Sequence, residues 1–156
     1  MALLHENLYN AGDLATIDTR DYVIKLTSYL SQTYNGSGRG FEVLTKVDDL
    51  HLDIDTAIPL GLVINELVSN AFKYAYPEDD TVDKPIRVEL IAMDSNRARL
   101  TVSDDGVGLE EGYDQKGSLG LELVQNLTEQ LEGEITVNQH QGTELLIEFS
   151  TSPMGA

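Results

Sequence analysis

The segment from Thr56 to Tyr76 constrains this chain more than any other. Its apolar residues recur at helical spacing over some five turns, and Asp55 stands just ahead of it as an acceptor for the first free N–H groups. Pro59 lies near the first turn, where proline is tolerated. Pro59, Asn65 and Glu66 break the apolar run, so it falls short of the about twenty apolar residues that a membrane-crossing helix needs. On either side lie segments that read as strands. Phe41 to Val47 alternates, with Phe41 and Val43 on one side and Lys46 on the other, and Leu50 to Ile54 is a short second strand. Ile86 to Met93 and Ala98 to Ser103 flank the turn "DSNR"; Glu134 to Gln139 and Thr143 to Ser150 flank "HQG". Strands and helices in irregular order, with two hairpins, predict an α+β fold in which a sheet is covered on one face by helices.

The rest of the chain fills in around this frame. Leu3, Leu4, Leu8 and Ala11 follow helical spacing up to Gly12, with no N-cap at residue 1, which suggests a chain cut inside a helix. "DLATID" is then a connector. Asp18 or Thr19 can cap a helix from Arg20 to Tyr34, with Tyr22, Leu26, Tyr29, Leu30 and Thr33 as its inner stripe. "NGSGRG", Asn35 to Gly40, is the clearest loop; it is either a boundary that separates residues 1–35 from 36–156 or a tight connection inside one domain. "PEDDTVDK" is an acidic turn, Asp104 to Gly117 a loop rich in glycine and acid, and Leu119 to Leu131 a helix closed by Gly133.

Composition removes several functions. A length of 156 residues fits one domain of ordinary size. There are 10 Lys and Arg against 27 Asp and Glu, a formal net charge of −17. Nucleic-acid binders and proteins of anionic membranes need a basic face, so neither nucleic-acid binding nor membrane insertion of this segment is expected. Cysteine is absent, which excludes disulfides, thiolate metal sites and cysteine nucleophiles, and fits a cytoplasmic location. His5 and Glu6 stand in a start that lacks a basic end and an apolar core, unlike a signal peptide.

Three segments can carry chemistry. In "NELVSNAFKYAY", Glu66, Asn70, Lys73 and Tyr74 share one face of an α-helix. A carboxylate and an amide oxygen suit a hard cation such as Mg²⁺, an ammonium suits a phosphate, and a ring offers an apolar plane to a base. Taken alone, this face also reads as an ordinary solvated one. "DDGVGL" ends a strand: Gly106 and Gly108 admit close approach of a ligand, and Asp104 can accept from an exocyclic amine. A simple Asp-Gly turn explains it equally. In "KGSLGLELV", Gly117 and Gly120 lead into a helix whose N-terminus, with Lys116, forms an anion site; a plain loop before a helix is the other reading. Their order is more specific than any one of them. A metal ligand, a base-reading acid and a phosphate cradle follow one another, and a chain at −17 needs Mg²⁺ and local positive groups to hold a nucleotide tetra-anion.

These residues resemble the ATP-binding domain shared by sensor histidine kinases, Hsp90, type II topoisomerase subunits and MutL. "ELVSNAFKY" is similar to the N box, "DDGVG" to the G1 box, "GSLGL" to the G2 box and "GTELLIEF" to the closing strand. The likeness covers Phe41 to Ser150, and the Asn-Ala-x-Lys-Tyr ending favours the histidine kinases. "ALLHENLY" and "IDTRDYVIKL" resemble the second helix and linker of the HisKA_2 type. The resemblance implies a two-layer α/β sandwich with a mixed, mostly antiparallel sheet, the Bergerat-type fold. It implies Mg²⁺ at Asn70, helped by Glu66, which sits where relatives often have a general base; phosphate at Lys73; and adenine near Tyr74. Asp104 would accept from the adenine amino group with Thr143 in support. Gly106 and Gly108 would line the base pocket, Gly117 and Gly120 would belong to the mobile lid, and Lys116, Ser118 and Leu119 would join them in binding the nucleotide.

The implied function is to bind Mg·ATP and donate its γ-phosphate to a histidine on a helical dimerisation domain, largely missing from this chain, with a response regulator as the next acceptor. The full-length protein would be a homodimer, cytoplasmic or anchored upstream, and residues 1–35 the remnant of the helical region. This segment alone is expected to bind ATP or ADP but not to autophosphorylate. Departures from the pattern are the lack of an F box between Gly108 and Gly117, where Tyr113 is a weak stand-in, and Ser118 at a position where many relatives have glycine. His51 and His140, in a strand and a turn, are poor acceptors, and His5 falls late in the second helix. A nucleotide-switch ATPase, a serine kinase of the anti-sigma-factor type, or a degenerate interaction module are the alternatives with the same pocket.

Overall fold

The computed structural model describes residues 17–35, 40–76, 84–94, 96–107, 119–139 and 142–151. In chain order these form β1 (Ile17–Asp18), α1 (Thr19–Asn35), β2 (Phe41–Val47), β3 (His51–Leu52), α2 (Ile54–Asn70), β4 (Lys84–Asp94), β5 (Arg97–Asp104), α3 (Leu119–Gln130), β6 (Glu134–Asn138) and β7 (Thr143–Ser150). A five-stranded sheet runs in the order β2-β4-β5-β7-β6, and β1 and β3 form a separate two-stranded ladder. Only β2 and β4 pair in parallel within the large sheet; β4–β5, β5–β7 and β6–β7 are antiparallel. A parallel pair needs a crossover, and α2 lies in the connection between β2 and β4.

Burial alternates along the central strands. Ile86, Val88 and Leu90 of β4, Ala98, Leu100 and Val102 of β5, and Ile147 and Phe149 of β7 point inward. They meet Leu60, Val63, Ile64, Leu67 and Val68 of α2, Val124 and Leu127 of α3, and Val23, Leu26 and Leu30 of α1 in one core. Each such side chain contributes about 1.5–3 kcal/mol by leaving water. This is the α+β sandwich with a mixed, mostly antiparallel sheet that the sequence predicts.

Helix α1 belongs to that core. Asp18 caps it, accepting from the Asp21 N–H at 3.3 Å. Its inner residues are Tyr22, Val23, Leu26, Thr27 and Leu30, while Tyr29 and Thr33 face outward, correcting the expected stripe. Thr27 can go inside because its hydroxyl donates to the Val23 carbonyl at 2.9 Å. Past the helix, the Asn35 side chain brackets Phe41: its oxygen accepts from the Phe41 N–H at 2.9 Å and its Nδ2 donates to the Phe41 carbonyl at 3.0 Å.

Two helix ends also differ from expectation. Asp53, not Asp55, is the N-cap of α2, accepting from the Thr56 N–H at 2.8 Å. The preceding strand therefore stops at Leu52, and Asp55 sits in the first turn, where the helix dipole favours a negative charge. At the end of α3 the left-handed position is taken by Glu132, φ 55°. Gly133 follows it, donating to the Thr128 carbonyl at 3.0 Å. Gly133 is there for space, since a Cβ would press on the Glu148 carbonyl of β7.

Candidate functional site

Helix α2 carries Glu66 and Asn70 one turn apart on one face, both half-buried. The expected α-helix to Tyr76 ends at Asn70. Ala71–Ala75 forms a π-turn, and Tyr76 is extended with φ −126° and ψ 98°. The aromatic residues account for this. Phe72 is fully buried, stacked on Tyr34 at 4.6 Å and edge-on to Phe41 at 4.6 Å. Tyr76 is buried beside Phe41 as well. A π-turn holds one more residue than an α-turn, which lets both rings reach the core, and such turns often mark functional sites. It also rotates Lys73 and Tyr74 away from where an α-helix would set them relative to Asn70. Both are exposed, Tyr74 by 62%.

The acidic residue Asp104 ends β5 opposite Thr143, the first residue of β7. Its Oδ1 accepts from the Gly106 N–H at 2.9 Å. Burial pushes its carboxyl above the usual carboxylate range, while the backbone N–H groups of Gly106 and Thr143 pull the other way. The loop after it lies directly on the π-turn. Val107 N–H donates to the Ala75 carbonyl at 2.9 Å, satisfying a carbonyl that the end of a helix leaves without a partner. Gly106 permits this, because a Cβ there would overlap the Ala75 carbonyl oxygen. Gly142 does the same on the other side, with φ +121° and its missing Cβ directed at the Asp104 carbonyl oxygen.

Three residues that the sequence reading did not single out hold this loop. The Asp105 N–H donates to the Tyr76 hydroxyl oxygen at 2.7 Å, and that hydroxyl donates to the Pro85 carbonyl at 2.6 Å. Burial above all keeps Tyr76 protonated, its pKa pushed up to about 12. Arg87 forks onto Asp105, Nη1 to Oδ1 and Nη2 to Oδ2, each at 2.9 Å. The fork holds the Asp105 carboxyl below the usual range and raises the Arg87 guanidinium. A signal for the pair existed in the "DSNR" hairpin. Its register sets Arg87 opposite Ser103, so Asp105 is its diagonal neighbour, within reach of a long side chain.

The structure thus brings the Asp104 loop, whose first residue pairs with Thr143, against the end of the segment that bears Glu66, Asn70, Lys73 and Tyr74. Leu119 and Gly120 open α3 as expected. Gly108, Lys116, Gly117, Ser118 and the weak F-box stand-in Tyr113 lie outside the described residues, as do His5 and His140. His51 sits exposed on β3, 3.6 Å from Asp49. Among the described residues, no group of three His, Cys, Asp or Glu gathers for a metal, and no helix is long and apolar enough to cross a membrane.

The chain resembles known proteins over most of its length. Residues 55–153 match the family model described as histidine kinase-, DNA gyrase B-, and HSP90-like ATPase. The chain is 29% identical over 140 residues to blue-light-activated histidine kinase 2 of Erythrobacter litoralis, covering 85% of this chain and 40% of that protein. It is 33% identical over 119 residues to the sensor histidine kinase PdtaS of Mycobacterium tuberculosis, covering 72% of this chain and 23% of that one. Its fold superimposes on the solved histidine kinase domain of the blue-light-activated kinase from Erythrobacter litoralis with a TM-score of 0.82 and 26% identity, over 96% of this chain and 70% of that one. The chain therefore spans less than half the length of either curated relative.

Proposed function

Because the chain belongs to the histidine kinase-, DNA gyrase B-, and HSP90-like ATPase family, we propose that it serves as the catalytic part of a two-component sensor kinase, binding Mg·ATP and giving its γ-phosphate to a histidine on a helical dimerisation domain. The observation that carries this reading is the seating of the Asp104 loop on the end of the Glu66–Asn70 helix, through Val107 N–H to the Ala75 carbonyl at 2.9 Å. Groups suited to a base and groups suited to a metal and phosphates then lie along one edge of the fold.

In this reading Asp104 accepts from the adenine amino group, with Thr143 beside it, and Gly106 and Gly108 border the base. Tyr74 flanks the adenine, and Lys73 meets phosphate. Lys116, Gly117, Ser118, Leu119 and Gly120 bind the nucleotide, with Gly117 and Gly120 belonging to a lid. Asn70 and Glu66 hold the metal. One carboxylate and one amide oxygen are too few for an all-protein cage. They fit Mg²⁺, which keeps its waters and takes further oxygens from substrate phosphates. The ion supplies neutralisation of phosphate charge, which the excess of acidic residues makes necessary. Phosphoryl transfer depends mainly on positioning and charge stabilisation, so the accepting histidine can stand on another domain.

Helix α1 packs in the same core as the sheet, so we assign it to the catalytic unit with residues 36–156, and residues 1–16 to the helical phosphotransfer region of the HisKA_2 type. The whole protein is then a cytoplasm-facing homodimer that passes phosphate to a response regulator. Thermal stability with and without Mg·ADP tests the nucleotide site. Ligand at about a hundredfold its dissociation constant should add about 2.7 kcal/mol. No Mg-dependent shift at millimolar nucleotide refutes the reading. Appending the helical domain should then restore transfer to histidine, measured as acid-labile phosphate on the protein.

A further inference from the structure

The contacts of the Asp104 loop reach beyond Asp104 itself. Two carboxylates stand side by side in opposite settings: Asp104 is half-buried against Gly106 and Thr143, whereas Asp105 is turned outward into the Arg87 fork. One backbone link separates them, so holding Asp105 constrains the backbone that carries the Asp104 side chain. The Asp105 N–H is held by the Tyr76 hydroxyl, which is itself anchored on the Pro85 carbonyl. Tyr76 closes the π-turn that follows Asn70. Arg87 and Pro85 both lie on β4, the strand paired with β5 along its length.

We propose that Tyr76, Asp105 and Arg87 are positioning residues that aim the Asp104 carboxylate and so set the preference for adenine over other bases. The lock joins three elements that the nucleotide must find in register: the end of the helix that bears Asn70, the start of β4, and the acid loop. A phenylalanine at 76 would fill the same space and keep the ring packing on Phe41, but it would leave the Asp105 N–H and the Pro85 carbonyl without the hydroxyl. The loop could then shift by a fraction of an ångström, enough to misdirect a hydrogen bond whose strength falls off steeply with angle. Arg87→Lys would replace a planar fork by a point charge and lose the fixed orientation of Asp105.

This inference rests on the nucleotide reading above, and the test separates the two. Binding of Mg·ADP and Mg·IDP is measured by calorimetry for the wild-type chain, Y76F, R87K, D104N and the Y76F/D104N pair. Hypoxanthine carries a carbonyl oxygen where adenine carries its amino group, so only a well-aimed Asp104 discriminates between them. The wild type should prefer ADP, and D104N should lose that preference. Y76F should reduce the ADP-over-IDP ratio roughly fivefold, the worth of one net hydrogen bond, and R87K less. In the D104N background Y76F should have no further effect on the ratio, since both changes act through the same carboxylate. A merely structural role would weaken both nucleotides alike and leave the ratio untouched; that result overturns the proposal. A wild type that binds neither nucleotide overturns the nucleotide reading and this inference with it. A D104N variant that keeps the preference overturns the role of Asp104, and an unchanged ratio in Y76F alone overturns the positioning role while Asp104 stands.

Discussion

The two sides of the candidate site are built differently. On the base side, the loop from Asp104 to Val107 is tied at every residue: Gly106 N–H to Asp104, Asp105 N–H to Tyr76, Asp105 to Arg87, and Val107 N–H to Ala75. On the helix side, no hydrogen bond or ion pair among the described residues engages the side chains of Glu66, Asn70 or Lys73. Glu66 and Asn70 are nevertheless half-buried. A group that reads a flat base gains from being aimed in advance, because its ordering cost is met during folding. Groups that meet a hydrated cation and flexible phosphates gain from keeping their polar capacity open for the ligand. One side of the candidate site is thus locked by its own hydrogen bonds and the other is left open, and the roles proposed for them can be tested against that difference.

The largest effect should come from the element both sides share. Phe72 lies inside the π-turn between Asn70 and Tyr76, clasped by Tyr34 and Phe41. Phe72→Ala should cost about 3–5 kcal/mol, as expected for emptying a packed aromatic site. Denaturant unfolding measures it. A loss below about 1 kcal/mol would show that the aromatic cluster does not hold the turn, and that the two sides have no common support.

Asp104→Asn comes next and bears on the base side alone. The carboxyl is half-buried, and when ionised it accepts a hydrogen bond worth about 1.5–3 kcal/mol. Mg·ADP affinity should therefore fall roughly tenfold to a hundredfold, while the ligand-free protein loses no stability at neutral pH. Titration calorimetry beside a thermal scan separates the two quantities. An affinity that falls only in step with stability would mean that Asp104 serves the loop and not the ligand.

Asn70→Ala probes the open side. Its side chain makes no capping hydrogen bond in the structure, so truncation should leave folding almost unchanged. What should fall, by about tenfold for one lost polar contact to a charged ligand, is the gain in ADP affinity that Mg²⁺ brings. Binding in the presence of a chelator should stay as it was. A loss of affinity that is equal with and without Mg²⁺ would move Asn70 from the metal to the nucleotide itself.

Much of this arrangement was legible in the sequence, and most of what was not shares one physical cause. Alternation announced β2, the turns "DSNR" and "HQG" marked off β4, β5 and β7, and the acid-glycine run after β5 was readable as a ligand loop because Asp and Gly carry their conformational preferences locally. The π-turn was not legible. It arises because Phe72 and Tyr76 must meet Tyr34 and Phe41, residues more than thirty positions upstream that no helical period records. The outward rotation of Tyr29 and Thr33 on α1 and the space that Gly133 leaves beside the Glu148 carbonyl likewise depend on the rest of the fold, whereas the cap at Asp53 in place of Asp55 is a local choice between two nearby acids. The lock of Tyr76, Asp105 and Arg87 was half-visible: the hairpin register places Arg87 near Asp105, but nothing local tells that the Tyr76 hydroxyl arrives from the helix. Candidate ligand residues could be named from residue type and order, whereas the contacts that hold their loop required the fold.

The smallest expected effect separates the two neighbouring carboxylates by pH. Asp104 has its folded-state pKa raised, chiefly by burial. The folded protein then keeps a proton that the unfolded chain has released, so its contribution is fully present below the ordinary carboxylate value and is lost as pH rises through the raised one. Asp105 is the reverse. The Arg87 fork lowers its folded-state pKa, so its contribution is present above the ordinary value and lost as pH falls through the lowered one. Stability measured from acid to neutral pH should therefore respond oppositely to two similar substitutions. Asp104→Asn should remove a downward slope just above the ordinary carboxylate range, making the variant relatively more stable towards neutrality. Asp105→Asn should cost stability at neutral pH, at most about 1 kcal/mol because the pair is exposed to solvent screening, and the cost should shrink in acid. High salt should weaken the second effect far more than the first, since burial is not screened and a surface ion pair is. If both variants shift the profile in the same direction, the loop does not divide its acids into one turned inward for a ligand and one turned outward for an anchor.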